Sequence, residues 1–479
     1  MSLRIAASMI LGLPTAAWSH AFDDRYDLPA PLAYFVAGAA AVVGLSFIVA
    51  IVFAHGARNT APTQGYVVSL GPLLSALRMV LRFVSLATFA LVVAAGLFGT
   101  GDPMMNLAPT MVWIIGWVGL SLVVACIGNV WPALDPWRAL FELVDAAARR
   151  LGLKRGITLG LPYPPALDVW PAVLLLLAIA WFELVYPQAA VPYRLASMLL
   201  CWSALTLTGM ICFGREAWQS NADVFAVYFS TFGRFAPITS TADGRSLILR
   251  PPGRGLIVHS GASTAMVCFV IAMLSTVLFD GLMGGQAWQL MQGKLARAIP
   301  VLVDANGYRL GACGLVGVWL AFLAAYILAC RITASLVRGW PTKTVAQAFA
   351  LTLVPIAVAY NIAHNCSNLL VQGQQVIPLL SDPLGLKWNL FGAADYKTNI
   401  GLIDARTSWY VAIGAIVAGH FISIWLAHRV ALREFGTTRR AMFATIPLTI
   451  LMVVYTAISL SVIAEPMVKF EAPDAVISQ

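Results

Sequence analysis

Charge is what this chain has least of. Asp, Glu, Lys and Arg make up 11% of its 479 residues, against 60% apolar residues, and the mean hydropathy is +0.82. Soluble domains carry about a quarter charged residues, so the composition excludes an ordinary soluble fold. Paired cysteines are also missing. The seven cysteines sit in or beside apolar runs with no CxxC spacing, which excludes a disulfide framework and a thiolate zinc site. There is no Gly-x-Ser-x-Gly elbow, no Walker A loop, no HExxH and no GxGxxG after a strand. Serine-hydrolase, ATPase and dinucleotide chemistry therefore lack their motifs. The formal charge of +9 has to be divided between two membrane faces before it argues for any partner, and nothing in its distribution points to nucleic acid.

Long apolar runs are abundant. Arg4, the apolar stretch Ile5 to Trp18 and the small residues Ala17 and Ser19 have the layout of a secretory leader, so residues 1–19 are predicted to be removed and the mature chain to begin at His20. Runs of about 20 residues, long enough for a hydrocarbon core of roughly 30 Å, follow near Leu32 to Phe53, Phe83 to Phe98, Ala108 to Ile127, Leu167 to Tyr186, Tyr193 to Phe213, Val258 to Phe279, Leu310 to Ala329, Val345 to Val371, Ser408 to Leu426 and Ala441 to Ala464. The expected fold is an all-α polytopic integral membrane helix bundle of about ten spans, with residues 20–479 as a single domain. Val224 to Ile238, which holds Arg234, reads as an interfacial helix. Trp131, Trp137 and Trp218 read as headgroup-level anchors.

Cytoplasmic loops attract Lys and Arg. With His20 outside, the inner loops take 20 of the 29 basic residues after the leader, and the outer side takes 13 of the 21 acids. This predicts a multi-pass protein of a bacterial inner membrane with both termini periplasmic. The long outer loops fall near 280–309 and 373–407, and the inner loops near 128–166 and 214–257.

The polar residues of the eighth run are ordered. Asn361, His364, Asn365, Asn368, Gln372 and Gln375 recur at helical spacing and share one face. Polar groups at membrane depth cost free energy without a partner or a wet cavity, so the stripe marks a candidate site near the outer side. Bonding between helices is the competing explanation. Pro355, one or two turns earlier, is predicted to kink the helix. Glu183 and Asp280 close the fourth and sixth runs at the same outer level. Such carboxylates are usually paired or hold a cation, with Arg194 and Arg309 as available partners. With His364, and with the loop acids Asp382, Asp395 and Asp404, they could supply imidazole and carboxylate ligands to a divalent metal. A freed His20 adds an α-amino group and an imidazole that suit copper or zinc. His420 lies near the bilayer midplane in the ninth run, a position where a titratable group is a functional candidate. His55, His259 and His428 fall near inner ends, and His259 with His428 is a weak haem pair.

His20-Ala-Phe-Asp-Asp-Arg-Tyr-Asp-Leu-Pro, Phe279-Asp-Gly, Ala363-His364 with Leu369-Leu-Val-Gln-Gly-Gln, Leu380-Ser-Asp-Pro-Leu-Gly and Leu390-Phe-Gly-Ala-Ala-Asp-Tyr make the chain resemble a bacterial multi-pass membrane family, some of whose members are labelled fenitrothion hydrolase. The resemblance implies a membrane-embedded hydrolase of apolar organophosphorus esters working at the periplasmic side, alongside membrane lipid and a second membrane subunit. On that reading Glu183, Asp280 and His364 are catalytic, and His20, His364, Glu183 and Asp280 hold a metal. Asn361, Asn365, Asn368, Gln372 and His420 then form the polar wall. The same residues also fit a transporter, a copper-handling membrane protein, or a structural subunit of a membrane complex.

Overall fold

In the computed structural model, residues 65–464 are described apart from Ala242, His259, Ser260, Ala305 and Arg338, together with Gly38 and Gly44. The predicted leader, His20, His55 and nearly all of the first predicted span lie outside those residues. The described residues are 74% helical, and among them eight helices are long and apolar enough to cross a membrane. The chain is therefore an all-α bundle of membrane-spanning character.

Strand β1 (Tyr66–Ser69) leads into α1 (Pro72–Phe98). Pro72 suits the first turn, where its missing N–H would have no intrahelical partner. Helix α1 buries little and leaves Met79 and Phe83 72% and 75% exposed. Helix α2 (Leu107–Cys126) contains a ten-residue π-helical stretch, Thr110–Gly119. Such wider turns are rare and gather at functional sites. Next comes α3 (Pro136–Arg150), capped by Asp135. Helix α4 (Trp170–Leu184) is shorter than the sequence suggests. Its 15 residues rise about 22 Å, and it ends before Pro187. Helices α5 (Pro192–Phe213) and α6 (Arg215–Asn221) follow.

Helix α7 (Val224–Phe235) is not among the spans, as expected, and it packs deep against the bundle: Val224, Val227, Tyr228, Phe229, Thr231, Phe232 and Gly233 are all buried. The three tryptophans expected at headgroup level are buried as well, Trp131 at 9%, Trp137 at 4% and Trp218 at 8% exposure. Trp131 and Trp137 belong to an aromatic cluster in which Trp137 stacks on Phe225 at 5.8 Å and Trp131 meets Phe229 at 4.9 Å, while Trp218 stacks on Phe213 at 6.2 Å. Helix α7 offers the first two a complementary apolar face. Strands β2 (Ile238–Ser240) and β3 (Ser246–Leu249) form with β1 an antiparallel sheet of order β1-β3-β2, a small addition that the apolar periodicity did not announce.

Helix α8 (Thr264–Met283) is capped by Ser263, whose hydroxyl accepts from the Met266 N–H at 3.0 Å. Helix α9 (Gln286–Ala298), in the connection after α8, seats the buried Trp288 edge-on to Phe279 at 5.2 Å. Next come α10 (Tyr308–Leu336), α11 (Thr342–Phe349), α12 (Val354–Gln372), α13 (Ala405–Phe435) and α14 (Thr438–Ala464). Pro355 has no N–H for the Leu351 carbonyl, and the segment Ala350–Leu353 just before it tightens into a 3₁₀ turn. The Ser423 hydroxyl donates to the Thr352 carbonyl at 2.5 Å. Opposite, α13 approaches closely because Gly419 has no side chain. A Cβ there would stand 2.3 Å from Ala359 Cβ and 2.7 Å from the Pro355 carbonyl oxygen. The most enclosed spanning segments are α8 and the run α11 to α12, and these carry Asp280 and His364.

Candidate functional site

Helix α8 presents Asp280 in its last turn, and α12 presents His364 three turns after Val354. The two side chains meet with Asp280 Oδ2 2.9 Å from His364 Nε2. Their side chains are 23% and 9% exposed, so the pair is recessed without being sealed. Glu183, partly exposed at the end of α4, lies close enough to interact electrostatically with Asp280 and is hydrogen-bonded by Trp117. Trp117 sits in the π-helical stretch and stacks on Tyr228 of α7 at 4.8 Å. Tyr228 in turn hydrogen-bonds Ser121 and Asn361. Five elements thus converge on one polar focus.

A second line of groups leads inward. The Tyr360 ring lies 6.3 Å from that of His364 at an interplanar angle of 19°. Tyr455 of α14 lies 6.3 Å from Tyr360 and 6.0 Å from His420. His420 stands at the middle of α13 and is 1% exposed. Its Nδ1 pairs with the Ile416 carbonyl at 2.8 Å, which in the neutral ring leaves Nε2 as an acceptor. Neither Nε2 nor the buried Tyr360 hydroxyl has a hydrogen-bond partner among the described residues. A buried polar atom left so costs about 1–3 kcal/mol, which packing alone does not recover.

The predicted stripe is only partly assembled into this focus. Asn361 is buried and joined to Tyr228, whereas Asn365, Asn368, Gln372 and Gln375 are partly exposed along the outer half of the same segment. Gln374, which lies off the predicted face, fastens the outer loop instead: its Oε1 accepts from the Tyr396 hydroxyl at 2.9 Å and from the Asn399 N–H at 3.0 Å. Two of the three loop acids do structural work. Asp382 accepts from the N–H groups of Leu386 and Lys387, and Asp404 caps α13, where its bond from Thr407 holds its carboxyl below the usual range. Asp395 is exposed. Arg309 donates to the Val301 carbonyl at 3.0 Å, so the partner brought to Asp280 is His364.

His364 Nε2 and Asp280 Oδ2 face each other. Among the described residues no three His, Cys, Asp or Glu side chains form a group able to hold a metal ion. His20, the further expected ligand, lies outside the described residues.

Sequence reasoning missed a network that joins α3, α5, α6 and α7. Asp135 and Asp223, each 1% exposed, cap α3 and α7. Gln219 Nε2 donates to Asp135 Oδ2, the Thr206 hydroxyl donates to Asp223 Oδ2 at 2.8 Å, and Trp218 Nε1 donates to Thr206 Oγ1 at 2.9 Å. Burial, then the neighbouring Asp223 charge, push the Asp135 carboxyl up to about 7, and burial raises Asp223 too. The signal was present as Asp135-Pro136 and Asp223 ahead of apolar runs, a helix-start pattern. His428, expected at the interface, is 3% exposed.

No family model, curated protein or solved structure matches the chain, and its function is read from this geometry.

Proposed function

We propose that the protein is a proton-coupled membrane carrier whose outer proton-binding centre is the His364–Asp280 dyad with Glu183. The observation that carries this reading is the 2.9 Å pair on the two most enclosed spans. Ionisable residues inside a bundle are costly and characteristically mark ion or proton paths. The column Tyr360, Tyr455 and His420 extends the same chemistry inward. The proposed setting is a bacterial inner membrane, ten spans after a cleaved leader, and both termini periplasmic.

A neutral imidazole accepts a proton from the outer side, and the Asp280 carboxylate stabilises the resulting imidazolium. Glu183 adds a second carboxylate whose repulsion with Asp280 is relieved when a proton enters. The test is proton flux in proteoliposomes holding a pH-sensitive dye under an imposed potassium diffusion potential. Wild-type protein should carry protons, and His364→Ala and Asp280→Asn should reduce the rate at least tenfold. Unchanged flux in both variants overturns the reading.

A second reading follows from the same pair. A carboxylate that orients an imidazole makes a general base for water, and the resemblance to proteins labelled fenitrothion hydrolase supplies an apolar phosphotriester as substrate. A crevice of about 250 Å³ beside the end of α4, lined by Trp181, Phe182, Tyr186, Arg194 and Met198 among others, offers an apolar surface with one cation. Water attacks phosphorus as His364 takes its proton, and the leaving aryloxide or alkoxide departs with the P–O bond electrons. Hydrolysis of a chromogenic phosphotriester that vanishes in His364→Ala, in protein that carries no protons, selects this reading. Elemental analysis of mature protein, with N-terminal sequencing at His20, tests the metal and leader expectations directly.

A further inference from the structure

Helix α3 has two apolar faces. One, with Trp137, Phe141 and Ala148, is buried against the bundle. The other is bare: Leu143 is 60% and Val144 44% exposed, followed by Leu151 at 83% and Leu153 at 52%. Residues 143, 144, 147 and 151 recur at helical spacing and form one stripe. Beside it runs a charged edge. Glu142 is gripped by three arginines from three elements: Arg82 of α1 at 2.7 Å, Arg138 of α3 at 3.0 Å, and Arg215 of α6. Arg149 pairs with Asp145 at 2.8 Å, and Arg150, Lys154 and Arg155 stand exposed just beyond. Seven basic residues thus face three acids, Glu142, Asp145 and Glu216, a surplus of four positive charges. Between α3 and the start of α6 lies a groove of about 630 Å³ whose lining includes Phe141, Arg149, Phe213 and Arg215.

The stripe continues a lipid-facing surface. Arg82 ties α3 to α1 at the level of Met79, Val80 and Phe83, which are 72%, 58% and 75% exposed. A spanning helix exposing such residues faces acyl chains, so the apolar stripe of α3 meets the same hydrocarbon boundary while its basic edge sits at the headgroups. A soluble protein partner would not account for this continuity.

We propose that α3 and the arginine cluster around Glu142 form an inner-leaflet binding site for anionic phospholipid. The headgroup phosphate is held by the basic edge at the α3–α6 groove, and the acyl chains lie against Leu143, Val144 and Leu151. This inference rests on the membrane-spanning reading but not on the dyad, so loss of proton flux leaves it standing.

The test uses purified full-length protein in detergent with added phosphatidylglycerol, phosphatidylcholine or inorganic phosphate, read as thermal midpoint and as bound lipid by native mass spectrometry. Phosphatidylglycerol should stabilise the protein and remain bound, and the variant Arg149→Gln/Arg150→Gln/Lys154→Gln/Arg155→Gln should bind it less tightly by about fivefold for each charge that contacts the headgroup. Added salt should weaken the phosphatidylglycerol effect on wild-type protein and leave phosphatidylcholine unaffected, a readout that needs no variant. In nanodiscs, Leu143→benzoylphenylalanine should photo-cross-link to phospholipid. Equal stabilisation by phosphatidylcholine, equal stabilisation by inorganic phosphate, or a cross-link only to protein would each overturn the assignment.

Discussion

Asp280 Oδ2 and His364 Nε2 stand 2.9 Å apart, although 83 residues separate them in the chain. Asp280 lies in the last turn of α8, and His364 stands near the middle of α12. Ionisable groups inside a bundle are costly and characteristically mark ion or proton paths.

The first prediction concerns the division of labour within this pair. Asp280→Asn keeps the side-chain volume and removes the charge that stabilises an imidazolium, so proton uptake by His364 should weaken while the fold persists. His364→Gln should abolish the flux and leave the protein monodisperse in detergent. If Asp280→Asn aggregates while His364→Gln stays folded, the carboxylate acts chiefly in stability.

Stability around the Asp135 and Asp223 caps should depend on pH with a sign fixed by Asp135. Its folded carboxyl is pushed up to about 7, well above the ordinary aspartate value of roughly 4. Between those values the folded protein holds a proton that the unfolded chain has released, so this group's contribution falls as pH rises through that window and is least above it. Asp135→Asn retains a side chain that caps α3 almost as well and carries no charge. Its thermal midpoint should match wild type near pH 5 and exceed it near pH 8. A midpoint below wild type at pH 8 would contradict the burial argument.

Gly419 supplies a packing prediction. A side chain there must displace Ala359 or the Pro355 carbonyl, and overpacking typically costs about 1–3 kcal/mol. Gly419→Val should lower the thermal midpoint more than Gly414→Val on the same helix, where nothing lies within 4 Å.

Much of this architecture was legible in the sequence because apolar length is a strong signal. Eight of the nine expected spans within the described residues appear as helices of sufficient length, and Pro355 marks a break where its missing N–H demands one. The ninth, α4, is short because Leu167, Val169, Val185 and Tyr186, although apolar, are not in the helix, and Asp168 with its positive φ stands just before it. At the site, Asp280, His364 and Asn361 were readable because polar atoms inside apolar runs stand out. Trp117, Tyr228 and Tyr455 were not, since aromatic residues look alike in core and site, and only tertiary packing turns a hydroxyl or indole toward a carboxylate. The packing of Trp131 and Trp137 against α7 was hidden for the same reason: composition gives no direction in which a ring points.

Tyr228 allows the focus to be tested at its least polar member. Its hydroxyl bonds Ser121 and Asn361, and its ring stacks on Trp117, the residue that bonds Glu183. Tyr228→Phe retains the stack and removes the hydroxyl, leaving Asn361 without that partner. Side-chain hydrogen bonds inside membrane proteins average about 0.6 kcal/mol and rarely exceed roughly 1.7, so the thermal midpoint should fall only modestly. Tyr228→Ala also removes the ring, opens a cavity and frees the indole, and should cost about 3–5 kcal/mol. If the focus is one unit, proton flux should fall slightly in Tyr228→Phe and severely in Tyr228→Ala, tracking the loss of the Trp117 contact to Glu183. Equal flux in both variants would mean that Glu183 is held independently of α7.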